Sequence, residues 1–170
     1  MAEVVISTLM TQLPFVALLI CFLTAPMSTQ DSAKPNLSGT WTLDAAKSDF
    51  GQYPPPEFII LVIEHNEPVV KITTTTKSGT GESTGEQNLT TNGTQTVNKM
   101  QVMGAQQEVL VVGKWDGETL GTSWSLSARG VTLSFSDSWS VADDGKVLTM
   151  IRVAKTPQGD FTVKTVYNKR

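Results

Sequence analysis

An all-β fold, an antiparallel up-and-down meander of about eight to ten strands closed into a barrel, is predicted by three features of this chain. Short runs rich in valine, isoleucine, threonine and aromatics are separated by Gly, Pro, Asn and Asp clusters. Thr, Ser, Gly and Val are abundant while strong helix formers are sparse. In the last four runs apolar residues recur at alternate positions, with Ser and Thr between them over 131–141, the period of a sheet with one wet face. A sheet of that many strands generally closes, because closure removes its unpaired edges.

The 170 residues open with an apolar run, Leu13 through Ala25, of signal-peptide length and too short to span a bilayer comfortably. Its upstream flank carries Glu3 and no Lys or Arg. Residues 1–28 are read as a cleaved signal with the cut near Ala25 to Ser28; an uncleaved anchor over 4–25 is the alternative. Lipidation of Cys21 is opposed by the bulky Ile20 before it. The expected location is therefore extracytoplasmic, periplasmic or secreted, and membrane-anchored if the leader stays. Residues 29–36 read as a polar, disordered lead-in and 37–170 as one barrel domain.

Composition excludes several function classes. The net charge is −3, and Lys and Arg are scattered and form no stripe, so there is no basic footprint for nucleic acid. Cys21 is the only cysteine and lies in the leader, which leaves the domain without disulfide or thiol chemistry. About 140 residues are enough for a self-sufficient core.

The first strand is Leu37-Ser38-Gly39-Thr40-Trp41-Thr42-Leu43. A single helical turn capped by Asp44 is expected over 44–49, then an extended connector through Pro54-Pro55-Pro56. Residues 58–63 are apolar throughout and rich in β-branched side chains, and read as a strand buried on both faces. Strands follow at 69–76, 82–91, 94–103 and over the apolar run 109–112, with Asn92-Gly93 a hairpin signal between the middle two.

The last four strands are registered from their turns. An Asp116-Gly117 loop sets Gly113 opposite Leu120 and Val109 opposite Trp124. A three-residue loop ending on Gly145 sets Val141 opposite Val147, Trp139 opposite Thr149 and Asp137 opposite Ile151. The Pro157-Gln158-Gly159 loop sets Val153 opposite Val163. One face then collects Leu120, Trp124 and Leu126; Val131, Leu133, Phe135, Trp139 and Val141; Val147, Ile151 and Val153; and Phe161, Val163 and Tyr167.

Gly39-Thr40-Trp41, Lys114-Trp115-Asp116-Gly117 and the terminal Tyr167-Asn168-Lys169, set in this meander, resemble the calycin superfamily of lipocalins and fatty-acid-binding proteins over about residues 37–170. The resemblance implies a barrel that binds a small apolar or amphipathic molecule. Fatty-acid-binding proteins place a helical lid after the first strand, and 44–57 is too short and proline-rich for one. Of their carboxylate clamp only Tyr167 carries over, because Thr165 and about Trp124 occupy the arginine places. The lipocalin Thr-Asp-Tyr motif is absent. A bacterial-style secreted lipocalin-like domain is the better match, and a salt-bridged fatty acid is not carried over.

The candidate ligand-binding residues are Trp124, Phe135, Asp137, Trp139, Thr165 and Tyr167. Asp137 falls on the apolar face between Phe135 and Trp139, where an unpaired carboxylate costs several kcal/mol. With Thr165 and Tyr167 it forms a polar spot in an apolar cavity, as ligand pockets commonly do; otherwise it reaches a solvated mouth or pairs with a Lys or Arg. Trp41 is expected to plug the closed end under a cation from Lys164, Lys169 or Arg170.

No enzyme is predicted. Gly81-Glu82-Ser83-Thr84-Gly85 lacks a strand-to-helix elbow and a later histidine, and reads as a hairpin loop. Glu64 and His65 point to opposite faces, so 64–67 is not a metal site, and Asp143-Asp144-Gly145 is a turn. No cofactor or metal is expected, and the protein is expected to be a monomer. A ligand-free barrel acting as a cell-envelope structural or interaction module is the alternative function.

Overall fold

Ten antiparallel strands form one sheet that curls into a nearly closed barrel. The computed structural model describes residues 34–170 apart from 103, 129 and 143; the leader lies outside them, as does all but the end of the lead-in. The strands are β1 (Gly39–Leu43), β2 (Phe58–Asn66), β3 (Val69–Ser78), β4 (Gly81–Thr90), β5 (Asn92–Val102), β6 (Ala105–Asp116), β7 (Thr119–Ala128), β8 (Val131–Ala142), β9 (Val147–Thr156) and β10 (Gly159–Lys169). Their order is β4-β3-β2-β1-β10-β9-β8-β7-β6-β5, so the first strand pairs with the last and the seam falls between β4 and β5.

The core is the inner face. Trp41, Leu61, Ile63, Val70, Ile72, Val109, Val111, Leu120 and Leu148 are nearly or fully buried, and their outward neighbours face water. β2 is buried on one face only: Leu61 and Ile63 point inward while Val62 is 42 % exposed, which corrects the expectation of two buried faces.

Trp41 closes one end. Its indole is fully buried, its Nε1–H donates to the Leu37 carbonyl at 2.9 Å, and Lys169 Nζ stands 5.1 Å from the ring centroid. Gly39 explains the spacing of the motif. A Cβ there would lie 2.6 Å from Lys169 Cε, and the residue has φ +142°, so glycine both suits the backbone and clears the path of the lysine.

At the other end, 44–57 forms the cover. A 3-10 turn spans Ala45–Lys47, but Asp44 does not cap it with its side chain, which instead accepts from Asn168 at 3.1 Å. Asp49 and Lys164 exchange backbone hydrogen bonds, which extends β10 past the end of β1. Phe50 then reaches the mouth, and Tyr53 packs on Phe161 with centroids 5.3 Å apart.

Three turn registers differ from those expected. The β6–β7 loop is Gly117-Glu118, pairing Trp115 with Leu120 and Val111 with Trp124. Gly117 has φ +57°, the positive angle wanted at the first position of a two-residue loop. This slip of two residues leaves every side chain on its predicted face. The β8–β9 loop holds four residues, with Asp144 and Gly145 both at positive φ, so Ala142 pairs with Val147 and Asp137 with Arg152. The β9–β10 loop is only Pro157-Gln158, pairing Thr156 with Gly159 and Val153 with Thr162. The two one-residue slips offset each other in β10 but invert β9 between them. Leu148, Met150, Arg152 and Ala154 therefore face inward, while Ile151 is 40 % exposed.

Asn92-Gly93 does not make a hairpin. β4 and β5 share no ladder; β5 pairs with β6, with an irregularity between Asn92 and Gln95. The chain end of β4 lies instead across Gly113 of β6, where a Cβ would meet the Thr90 carbonyl oxygen at 2.5 Å. Asn98 clasps the seam: its Oδ1 accepts from the Asn88 N–H at 2.6 Å, and its Nδ2 donates to the Asn88 carbonyl at 2.7 Å. That amide reproduces the donor and acceptor of a neighbouring strand. Gly113→Ala is expected to lose about 1–3 kcal/mol, since the obstacle is backbone and cannot swing aside; an unchanged urea midpoint would show that β4 can lift off β6.

Candidate functional site

The barrel interior holds a partly open cavity of about 390 Å³. Its wall combines apolar groups with Thr165, Tyr167, Gln87 and Arg152. Of the six predicted residues, Phe135, Trp139, Thr165 and Tyr167 line this space. Trp124 stands beside it, stacked on Phe135 at a centroid distance of 4.1 Å and 16° between planes. Asp137 lies behind the wall with its side chain at 0 % exposure.

Asp137 is paired. The Arg152 Nε–H and Nη2–H donate to its two carboxylate oxygens at 2.7 and 2.8 Å, the fork geometry of a bidentate ion pair. The Thr122 hydroxyl and the Trp124 Nε1–H lie 3.4 and 3.5 Å from Oδ2. Arg152 also sits 5.4 Å from the centroid of Trp124 and 5.8 Å from that of Phe135. Burial opposes the arginine's charge, and the hydrogen bonds and charge of Asp137 outweigh it, so its pKa lies above the ordinary value.

Arg152 is the residue that sequence reasoning missed. The turn-derived register placed it on the outer face, next to Ile151. The usable signal was the carboxylate itself, because a buried acid demands a partner and Arg152 is a near neighbour in either register.

Thr165 and Tyr167 continue the polar spot along β10. The Thr165 hydroxyl lies 3.4 Å from the Met150 carbonyl. Burial pushes the Tyr167 hydroxyl above its ordinary pKa, with Thr165 and Arg152 pulling the other way. Two further polar atoms are buried without a hydrogen-bond partner among the described residues, Trp139 Nε1 and Gln87 Nε2, and both residues line the cavity. A second depression, of about 510 Å³, opens along the seam between Gly85–Gln87 and Lys99–Gln101 and reaches Trp124 and Arg152 from the side.

A separate polar cluster ties the closed end together. Glu67, in the β2–β3 turn, accepts from Trp115 Nε1 at 2.6 Å, from His65 Nε2 at 3.0 Å and from the Thr91 hydroxyl. The Leu37 N–H donates to His65 Nδ1 at 3.2 Å, so the ring proton is on Nε2, facing the carboxylate. Glu64 points the other way, as expected from the strand period. Among the described residues no group of three His, Cys, Asp or Glu side chains is placed to hold a metal ion. Gly81 to Gly85 lies in β4 rather than in a loop, and Ser83 is exposed on that strand.

For Glu67, burial pushes the carboxyl up, and the hydrogen bonds from Thr91, Trp115 and His65 more than offset it, leaving it below the ordinary 4.5. A carboxyl whose folded pKa is depressed stabilises the fold above its unfolded value, and that contribution disappears as pH falls through the folded value. Glu67→Gln is therefore expected to flatten the loss of stability below pH 4.5 and to lower stability at pH 7. Urea midpoints from pH 7 to pH 3 check this; parallel curves for the two proteins would remove Glu67 from the acid response.

No protein-family model matches the chain, and no curated protein resembles it in sequence. Solved structures share its fold. The zebrafish ileal bile acid-binding protein, crystallised with cholic acid, aligns with a TM-score of 0.50 at 14 % identity, over 78 % of this chain and 98 % of the other. The secretory abundant heat soluble protein 4 of Ramazzottius varieornatus aligns with a TM-score of 0.52 at 15 % identity, over 81 % and 96 %. The chain thus shares the antiparallel barrel fold of these two structures.

Proposed function

We propose that this protein is an exported barrel that binds a small apolar or amphipathic molecule in its interior, as a monomer and without catalysis. The observation that carries this reading is the 390 Å³ cavity, apolar over most of its wall, with Arg152, Thr165 and Tyr167 gathered on one side. That volume lies within the range of small-molecule pockets, and a few polar groups in an apolar wall are what fix a ligand's orientation. The zebrafish protein of the same fold, crystallised with cholic acid, gives a starting probe. Export rests on the apolar leader and is checked by N-terminal sequencing of the protein recovered from an expressing host, with a start near residues 26–29 expected.

Binding is tested with Nile red on purified protein, displaced by a panel of fatty acids, fatty alcohols, esters and cholic acid. Saturable one-site binding is expected, and Thr165→Trp, which fills the cavity, is expected to abolish it while the fold is retained. Absence of any bound or displacing species, by fluorescence and by native mass spectrometry, overturns the reading in favour of a ligand-free envelope or interaction module.

A further inference from the structure

Among the described residues Arg152 is the only charged residue on the cavity wall, and its charge is already matched. Asp137 lies directly behind it, fully shielded, and takes two of the five N–H donors of the guanidinium in a bidentate pair. The formal charge presented to the cavity by this pair is zero. A carboxylate ligand would have two ways to use Arg152. Sharing the guanidinium places two carboxylates close together, where like charges oppose each other's ionisation. Displacing Asp137 leaves a buried carboxylate unpaired, which is costlier still.

The remaining donors on the same wall point to the complementary chemistry. Arg152 keeps three N–H donors that Asp137 does not take, and Thr165 and Tyr167 line the wall with it. A guanidinium N–H can only donate, so what it takes from a ligand is a hydrogen-bond acceptor, charged or not. A neutral carbonyl, ether or hydroxyl oxygen supplies that acceptor without adding a second negative charge beside Asp137.

Resting on the reading of the barrel as a ligand-binding module, we infer that the interior selects uncharged amphipaths bearing an acceptor, such as alcohols, esters or ketones, over the corresponding carboxylates. Asp137 sets that preference without touching the ligand. It is a specificity-determining residue that acts through Arg152.

The test uses matched probes that differ only at the head group: dodecanoic acid, methyl dodecanoate and dodecanol, with cholic acid and methyl cholate as a second pair. Each displaces Nile red from the wild-type protein at pH 7. The esters and the alcohol are expected to bind about tenfold or more tightly than the acids. In Asp137→Asn, which removes the competing charge and keeps an acceptor for Arg152, the order is expected to invert. Acids binding as well as or better than their esters to the wild type overturn the inference and leave the ligand-binding reading standing. An unchanged preference in Asp137→Asn overturns the role of Asp137. Binding of none of the five probes overturns the inference, and failure of the wider panel as well overturns the reading beneath it. The wild-type comparison holds whether or not the variant folds.

Discussion

Arg152→Met is expected to cost about 3–5 kcal/mol of folding stability, because it leaves the Asp137 carboxylate buried without its partner. The side chain of Asp137 is at 0 % exposure, so in the native fold only protein groups answer its charge. What remains near it are the Thr122 hydroxyl and the Trp124 N–H at 3.4 and 3.5 Å, long contacts with neutral donors. The loss is expected to be largely reversed in the double variant Asp137→Leu with Arg152→Met, since an apolar pair of similar volume carries no desolvation cost. Urea unfolding of the three proteins at pH 7, followed by tryptophan fluorescence, measures both effects. A single-variant loss below about 1 kcal/mol would mean that water reaches the pair and that it is worth no more than a surface contact.

Trp41→Ala is expected to cost a similar amount, about 3–5 kcal/mol, by a different route. The indole is wholly buried at the closed end, so its removal leaves a cavity that the surrounding strands fill only in part. It also strands the Leu37 carbonyl, which receives the indole N–H at 2.9 Å. Lys169→Ala isolates the stacking component and is expected to cost about 0.5–2 kcal/mol. The two losses are not expected to add, because the ammonium has nothing to stack on once the ring is gone. An equal cost for both single variants would show that the lysine, rather than the ring, holds the end closed.

The closed end and the interior thus divide the work. Trp41, Lys169 and the Glu67 cluster tie the strands together at the closed end, and they are not among the residues that line the cavity. The interior carries one matched ion pair and a few unsatisfied donors in an apolar wall. That division lets the stability tests and the ligand tests be read independently. A Glu67 or Trp41 variant is expected to change unfolding midpoints without changing the preference between an acid and its ester.

Much of this architecture is legible in the residues. Strand number and antiparallel order follow from period-2 alternation and from Gly, Asn, Asp and Pro at the turns, because both are local properties of the backbone. Inward faces were legible for β7, β8 and β10, where large apolar residues alternate with Ser and Thr. β9 was the exception. Val147-Leu148-Thr149-Met150-Ile151-Arg152-Val153 has apolar residues at both parities, so alternation could not arbitrate and the face hung on loop length alone. One extra residue in the β8–β9 loop turns Ile151 out and Arg152 in. The position of Asp137 inside the barrel was legible, and the identity of its partner was not.

By itself the sequence determined the fold class, the side of the sheet that is apolar, the Gly-x-Trp that opens the first strand and the acid placed among aromatics. Each of these is written in short-range patterns, within a turn or along one strand. Only the tertiary structure decided that Arg152 answers Asp137, that Asn92-Gly93 leads into a seam rather than a hairpin, and that Asn98 clasps that seam. These outcomes depend on how strands distant in sequence meet around the barrel. A one-residue shift there exchanges the inside for the outside, and the choice belongs to the packing of the whole sheet.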